Sequence, residues 1–405
     1  DMGNPRTSGF LQGIEAMRPL CGNQHGGNRK SQGAEGDYAS FPDLGQRPNV
    51  PQRLPAHKKA VFAHSIPRRD CMKRGWLVFL CAACLCLAGC AAKSGGGDKP
   101  ALPQPEQTAG PTAGRSAAQL VPDRLAKNES GVPMLKVYDV KNEKLETLSV
   151  EDYLPAVLAG EMAGDWPLEA LKAQAILART FVLQFVSQKK SMYDGADIST
   201  DIKEAQAYDA AGVNARIREA VKETRGEVLN AGGELPYAWF HAHSGGLTAR
   251  AKEGLDYEKA EPGYTQCVKG MENDEAPAEA ANWQAAFSTA EVIAAAKASG
   301  VSVDKVESIA VGERGESGRA ETLLISGQSV SAPAFRIAIG STKMRSCLIE
   351  SLRVEDGQVK MSGKGYGHGV GMSQWGAYAM AKAGKTAEEI VTHYFQGVTI
   401  DRAWE

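Results

Sequence analysis

The chain has 405 residues, of which 43% are hydrophobic and 23% charged, and its formal net charge is −2, a composition that fits a soluble globular protein. Residues 1–89 carry 12 Lys and Arg against 6 Asp and Glu, which leaves residues 90–405 with 34 basic and 42 acidic side chains of the 46 and 48 in all. That acidic remainder, without basic clusters, argues against a nucleic-acid binder. Of the eight Cys only Cys90, Cys267 and Cys347 lie beyond residue 89, which excludes a disulfide framework.

Residues 1–71 are rich in Gly, Pro, Arg and Gln with little periodicity, and are read as an upstream extension, from a start placed too early or a disordered leader. Met72 to Cys90 reads MKRGWLVFLCAACLCLAGC: basic Lys73 and Arg74, an apolar run from Trp76 to Leu87, then small Ala88 and Gly89. This resembles a bacterial lipoprotein signal peptide over 72–89 with lipid attached to Cys90, which implies anchoring to a membrane on its extracytoplasmic side. The apolar run is shorter than the roughly 20 residues a membrane span needs. Residues 90–130, rich in Ala, Gly, Pro and polar side chains in their first part, are expected to form a flexible tether. A single domain is expected over 131–405.

Within that domain MLKVYDV (134–140) alternates like a strand. Ser149, three residues before Asp152, opens a helix over EDYLPAVLAGEM, with Pro155 expected in its first turn. A second helix starts at Pro167; Leu168, Leu171, Ala175, Ala178 and Val182 give it one buried stripe. A helix over 215–224 precedes strands at GEVLN and LPYAWFHAH. Residues 289–299 read as helix, and VESIAVGER, AETLLISG and LRVEDGQVKMSG as strands. A helix from Ser373 to Lys382 stops near Gly384, and Thr386 with Glu389 forms a capping box for a last helix that Gly397 ends. No internal repeat is evident. The order predicts an α+β fold, with a mixed sheet core and helices at both ends.

Three stretches carry chemistry. In GKGYGHGVG (363–371) glycine recurs at every second residue. An extended strand would put all five on one bare face, open to a backbone or a ligand; a curled loop would use their freedom at positive φ. Either suits a floor for an extended polymer beside Tyr366 and His368, and close strand–helix packing suits it equally. Glu161 ends one helix beside Met162 and Trp166, where partial desolvation would raise its carboxyl pKa toward that of a general acid, with Arg179 on the next helix facing back toward it; the residues alone suit a solvated glutamate and an ordinary surface arginine at least as well. In YAWFHAHSGGLTA, His241 and His243 share a strand face, and with Cys267 they offer an incomplete zinc set that lacks a fourth ligand. The reading adopted has no cofactor and no metal. Cys267 and Cys347 are either a bridge formed in an oxidising envelope or two separate buried thiols.

Taken in order, AGEM…PLEALKAQAILARTF, QAY (206–208), FHAHSGGLT, SGR (317–319), FRIAIGSTKMRS and GKGYGHGVGMSQWGAYAMAKAGKTAEEIVTHYFQG resemble the stage II sporulation protein D family, which includes the LytB amidase enhancers. The resemblance spans about Met134 to Ile400. It implies a lytic transglycosylase that cleaves peptidoglycan glycan strands, preferably stripped of stem peptides, in cell-wall remodelling or sporulation. It places the catalytic glutamate at Glu161 and an important arginine at Arg179. The expected sugar contacts are His243, Ser244, Gly245, Gly246, Tyr366, Gly367, His368, Gly369 and Gln374. The expected partners are glycan strands, the membrane through Cys90 and a cell-wall amidase, with no nucleic acid. The alternative is a non-catalytic, glycan-binding enhancer of an N-acetylmuramoyl-L-alanine amidase; a zinc hydrolase is a third reading.

Overall fold

A computed structural model describes residues 115–405 of the protein. The signal-peptide stretch, Cys90, residues 1–71 and the first part of the expected tether lie outside the described residues. The described chain begins within the stretch read as tether. Helix α1 (Ala117–Leu120) and the turn after it bury Ala117, Leu120, Val121 and Leu125. The tether reading therefore does not extend to residue 130: these apolar side chains gain more from burial than a free linker would.

The first half is built around one helix. Strands β1 (Met134–Asp139) and β2 (Lys144–Ser149) form an antiparallel hairpin that pairs Met134 with Ser149 and Asp139 with Lys144. Helix α2 (Val150–Glu161) follows at once, capped where Ser149 Oγ accepts the Asp152 N–H at 3.1 Å. Pro155 lies in the interior of α2, not in its first turn as expected. Helix α3 (Leu168–Gln188) buries Ala170, Leu171 and every residue from Ala173 to Val186. The sequence predicts one stripe, but the structure surrounds α3. Its alanines at 170, 173, 175 and 178 let neighbours approach on several sides. Strand β3 (Ile198–Ser199) adds parallel to β1. Helix α4 (Ala215–Glu223) and strand β4 (Glu227–Asn230) pack on α3, as do two helices from the end of the chain, α9 (Gln374–Lys382) and α10 (Ala387–Tyr394).

The intervening segment has its own core. After β5 (Phe240–His241), α5 (Ala251–Leu255) and α6 (Ala278–Ala281) come β6 (Asn282–Ser288), α7 (Thr289–Ala298), β7 (Ile309–Val311), β8 (Thr322–Ile325), β9 (Gln328–Ser331), α8 (Ala332–Ile339), β10 (Ile349–Glu355) and β11 (Gln358–Lys364). Two three-stranded sheets, β10-β11-β6 and β7-β8-β9, enclose Phe287, Leu323, Ile325, Phe335 and Val359. The stretch read as strand over 352–363 is interrupted by a turn in which Asp356 and Gly357 have φ of 52° and 72°, so it yields the β10–β11 hairpin. Strands β12 (Met372–Ser373) and β13 (Thr399–Arg402) pair with β5 and β4. The fold is α+β, but among the described residues the core is not one mixed sheet: five small sheets flank a helical centre and a second hydrophobic cluster.

The alternating glycines form the seam between the two cores. β11 ends at Lys364, and Gly365, Gly367, Gly369 and Gly371 all have positive φ, so the chain curls there. Tyr366 exchanges backbone hydrogen bonds with His243, Gly365 and Gly367 donate to Ala281 and Arg345, and Gly369 accepts from Ala249. A Cβ on Gly371 would lie 2.1 Å from the Trp239 carbonyl oxygen, and one on Gly369 would lie 2.4 Å from Arg319 Cζ. Of the two sequence readings the curled one holds, and the bare positions admit backbone and a guanidinium instead of a polymer.

This makes the glycines unequal. Gly371→Ala should cost about 3 kcal/mol, because overpacking against a carbonyl adds to left-handed strain. Gly384 has φ +82° and nothing within 4 Å of its Cβ position; Gly384→Ala should cost only about 1 kcal/mol. Urea unfolding of both variants checks this, and equal losses would contradict it.

Candidate functional site around Glu161

Glu161 is the last residue of α2, and its side chain is fully buried, with Met162 and Trp166 buried beside it. Its Oε1 accepts the Ala207 N–H at 2.8 Å, and its Oε2 has no hydrogen-bond partner among the described residues. Gly160 makes this contact possible: a Cβ there would lie 2.6 Å from the Ala207 carbonyl carbon. The 207–209 segment continues along α2, where Asp209 N–H donates to Ala156 at 2.8 Å and Tyr208 stacks on Tyr153. Burial pushes the Glu161 carboxyl up to about 8, against the weaker opposing pull of the Ala207 N–H. At neutral pH the group is therefore mostly protonated, and its proton sits on a carboxyl with one unpartnered oxygen.

Gln374, the first residue of α9, donates from Nε2 to the Glu161 carbonyl at 3.2 Å, and its buried Oε1 has no partner among the described residues. Gln206, next to Ala207, is fully buried with both amide atoms unpartnered among the described residues. Beyond Gln374 the aromatic rings of Trp375 and Tyr378 pack against Trp166 at centroid distances of 4.6 and 5.1 Å.

Arg179 does not face Glu161. Its Nε and Nη2 clamp Glu151 at 3.1 and 2.9 Å, and Nη1 reaches the Glu227 carbonyl at 3.0 Å. Glu151 also accepts from Gly226 N–H and Trp404 Nε1. Glu151 and Glu161 stand at opposite ends of α2, about 15 Å apart along its axis at roughly 1.5 Å per residue. A buried guanidinium needs a counter-charge, and Glu151 supplies it, so Arg179 ties α3 to the start of α2 and to the chain's C-terminus.

Most of the expected sugar contacts lie in the glycine seam and are spent on internal bonds. His243 Nδ1 accepts the Gly245 N–H at 2.9 Å, which leaves no proton there to offer Glu272 3.8 Å away. Ser244 donates from both N–H and Oγ to Glu272, at 2.6 and 3.0 Å. Gly245 packs on Leu348, whereas Gly246 is exposed. Tyr366 is buried with the Arg345 guanidinium 5.0 Å above its ring, and Gly367 and Gly369 pair with backbone as above. His368 Nδ1 accepts the Val370 N–H at 3.0 Å, and burial, reinforced by Arg336 and Arg319, pushes its pKa down to about 3. The expected polymer floor is corrected accordingly: these residues form a packed seam, and of the expected contacts only Gln374 hydrogen-bonds to Glu161 among the described residues.

The weak zinc candidates are not gathered either. His241 turns Nδ1 to the Val370 carbonyl at 3.1 Å and its ring toward His368 at 5.9 Å. Among the described residues no three His, Cys, Asp or Glu side chains are grouped as a metal site requires. Cys267 and Cys347 are both free, and burial raises both thiol pKa values.

Sequence reasoning missed Glu272. It joins Ser244 to Ser373, whose Oγ donates at 2.6 Å, and so couples the His-Ser-Gly-Gly loop to the start of α9. Burial alone would raise its carboxyl; the hydrogen bonds from Ser373 and Ser244 oppose that and hold it below the usual glutamate value. It also missed Glu253, which accepts from the Ser317 and Arg319 N–H groups. Neither sits in a periodic pattern or a motif that marks it.

A family model described as stage II sporulation protein matches residues 138–230, and a domain of unknown function matches residues 261–371. Stage II sporulation protein D of Bacillus subtilis (strain 168) is 31% identical over 285 residues, which is 66% of this chain and 79% of that protein. The chain belongs to the stage II sporulation protein D family. The protein of the same name from Bacillus amyloliquefaciens is also 31% identical, over 78% of its length, and a B. subtilis protein named amidase enhancer is 28% identical over 40% of its length. The first matched segment holds α2, α3, Glu161 and Gln206, and the second holds the separate core and the glycine seam up to Gly371.

The protonation of Glu161 sets a pH dependence of stability. Its folded pKa is raised from 4.5 to about 8, so the folded state keeps a proton that the unfolded chain releases. The stabilisation is complete below about pH 4.5 and is lost as pH rises toward 8, by up to about 1.4 kcal/mol per pH unit. Glu161→Gln cannot ionise, so its unfolding free energy should lack this fall between pH 5 and 8. Parallel pH profiles for the two proteins would contradict the assignment.

Proposed function

We propose that this family member is a lytic transglycosylase acting on peptidoglycan glycan strands, preferably those stripped of stem peptides, with Glu161 as its single acid–base group. The observation that carries the proposal is a fully buried carboxyl with one oxygen unpartnered among the described residues, where burial pushes the pKa up to about 8 and so favours the protonated form at neutral pH. Hydrolases use two carboxylates, but a substrate that supplies its own nucleophile needs one. Glu161 gives its proton to the glycosidic oxygen as the bond from muramic acid C1 breaks. The muramic acid C6 hydroxyl then attacks C1, and Glu161 takes that hydroxyl's proton. The products are a free sugar hydroxyl and a 1,6-anhydro-muramic acid end, with Glu161 protonated again. Because Glu161 is sealed in this structure, a glycan reaches it only when the covering 206–209 segment moves, a closure of the kind that excludes water from reactive intermediates.

The burial of Glu161 also favours a second reading, a glycan-binding enhancer of an amidase that turns nothing over; the name of the amidase-enhancer relative points the same way. Either reading places the protein in the cell envelope, and the signal-like stretch before Cys90 supports lipid anchoring there.

Mass spectrometry of peptide-free glycan strands incubated with the protein separates the readings. Wild type should release fragments with anhydro ends, and Glu161→Gln should lose at least about 10²-fold in rate, the low end for loss of an acid–base group. Equal release by both proteins, or release only when an amidase is added, would overturn the first reading.

A further inference from the structure

Helix α9 carries Trp375 and Tyr378 one turn apart on one face, and both rings remain partly exposed. Their centroids lie 5.3 Å apart, and Trp166 packs behind both. A polar rim borders this surface: Tyr378 Oη donates to Glu275 at 2.8 Å, and the half-exposed Lys382 lies 3.9 Å from the same carboxylate. Aromatic faces with hydrogen-bonding edges suit pyranose rings, which present C–H groups on their faces and hydroxyls at their rims. The helix that carries this surface is tied to the Glu161 site, since Gln374, one residue before Trp375, donates to the Glu161 carbonyl. A second observation points to a ligand at the adjoining Glu161 site, where Ala207 and Gln374 are bonded to Glu161. Gln206 and Gln374 are fully buried amides with three atoms unpartnered between them, a costly state that hydroxyl and acetamido groups would relieve.

We propose that Trp375 and Tyr378 form a stacking subsite for an N-acetylated pyranose, next to the sugar cleaved at Glu161, and that the Gln206 and Gln374 amides hydrogen-bond the substituents of the sugar bound there. This rests on the glycan-cleaving reading, deepens it, and assigns Trp375 as a substrate-binding residue.

Binding can be read apart from turnover. In the full-length Glu161→Gln protein, calorimetric titration with N-acetylglucosamine tetramer should show binding, and fully deacetylated tetramer should bind at least tenfold more weakly. Adding Trp375→Ala should weaken the acetylated tetramer at least tenfold in protein that circular dichroism shows to be folded at the titration temperature, with Tm lowered by the lost packing on Trp166, whereas Trp375→Phe should retain most of the affinity. Gln206→Ala should shrink the preference for the acetylated probe. The subsite is overturned if the parent does not bind, if Trp375→Ala binds as the parent does, or if Phe and Ala at 375 lose affinity equally. Each of these leaves the release of anhydro ends by wild type untouched, so failure of the subsite is distinct from failure of the catalytic reading.

Discussion

One buried carboxyl organises this molecule. Glu161 is removed from water at the point where α2 ends, and a single backbone N–H, from Ala207, reaches it. An ionised carboxylate there would lack the hydrogen bonds and counter-charge that make buried charge tolerable; a protonated one fits. Three neighbouring features follow from that seal. Gly160 lets the 207 backbone close in, Met162 is buried next to Glu161 in the chain, and Gln374 fixes the last carbonyl of α2 to the start of α9.

The rest of the scaffold holds these parts in register. Arg179 and Glu151 clamp α3 to the start of α2 and to Trp404, far from the acid. The glycine run joins the two cores by backbone pairing, and Arg319, bonded to the Leu247 carbonyl and Ser317, fills the space a side chain at Gly369 would take. Glu272 then links that seam to Ser373 and so to α9.

Local features of this architecture were legible in the sequence. The Ser149 cap, the Thr386–Glu389 capping box and the helix over 374–382 depend on residues close in the chain. Features decided by distant partners were not. Arg179 takes its counter-ion from the far end of α2, Gln206 matters because residue 207 docks on Gly160, and β6 is an alanine-containing strand that forms because β11 pairs with it. Period-two glycine reads as a strand face, yet positive φ at four alternate positions makes it a curl, a choice that the approach of Trp239 and Ala249 decides.

The claim on which the mechanism turns is the proton on Glu161 at neutral pH. Infrared difference spectroscopy between wild type and Glu161→Gln at pH 7 observes it without substrate or turnover. The account predicts a protonated-carboxyl band that belongs to Glu161 and gives way to a carboxylate band as pH rises through about 8. A carboxylate band already present at pH 7, unchanged above it, would contradict the account.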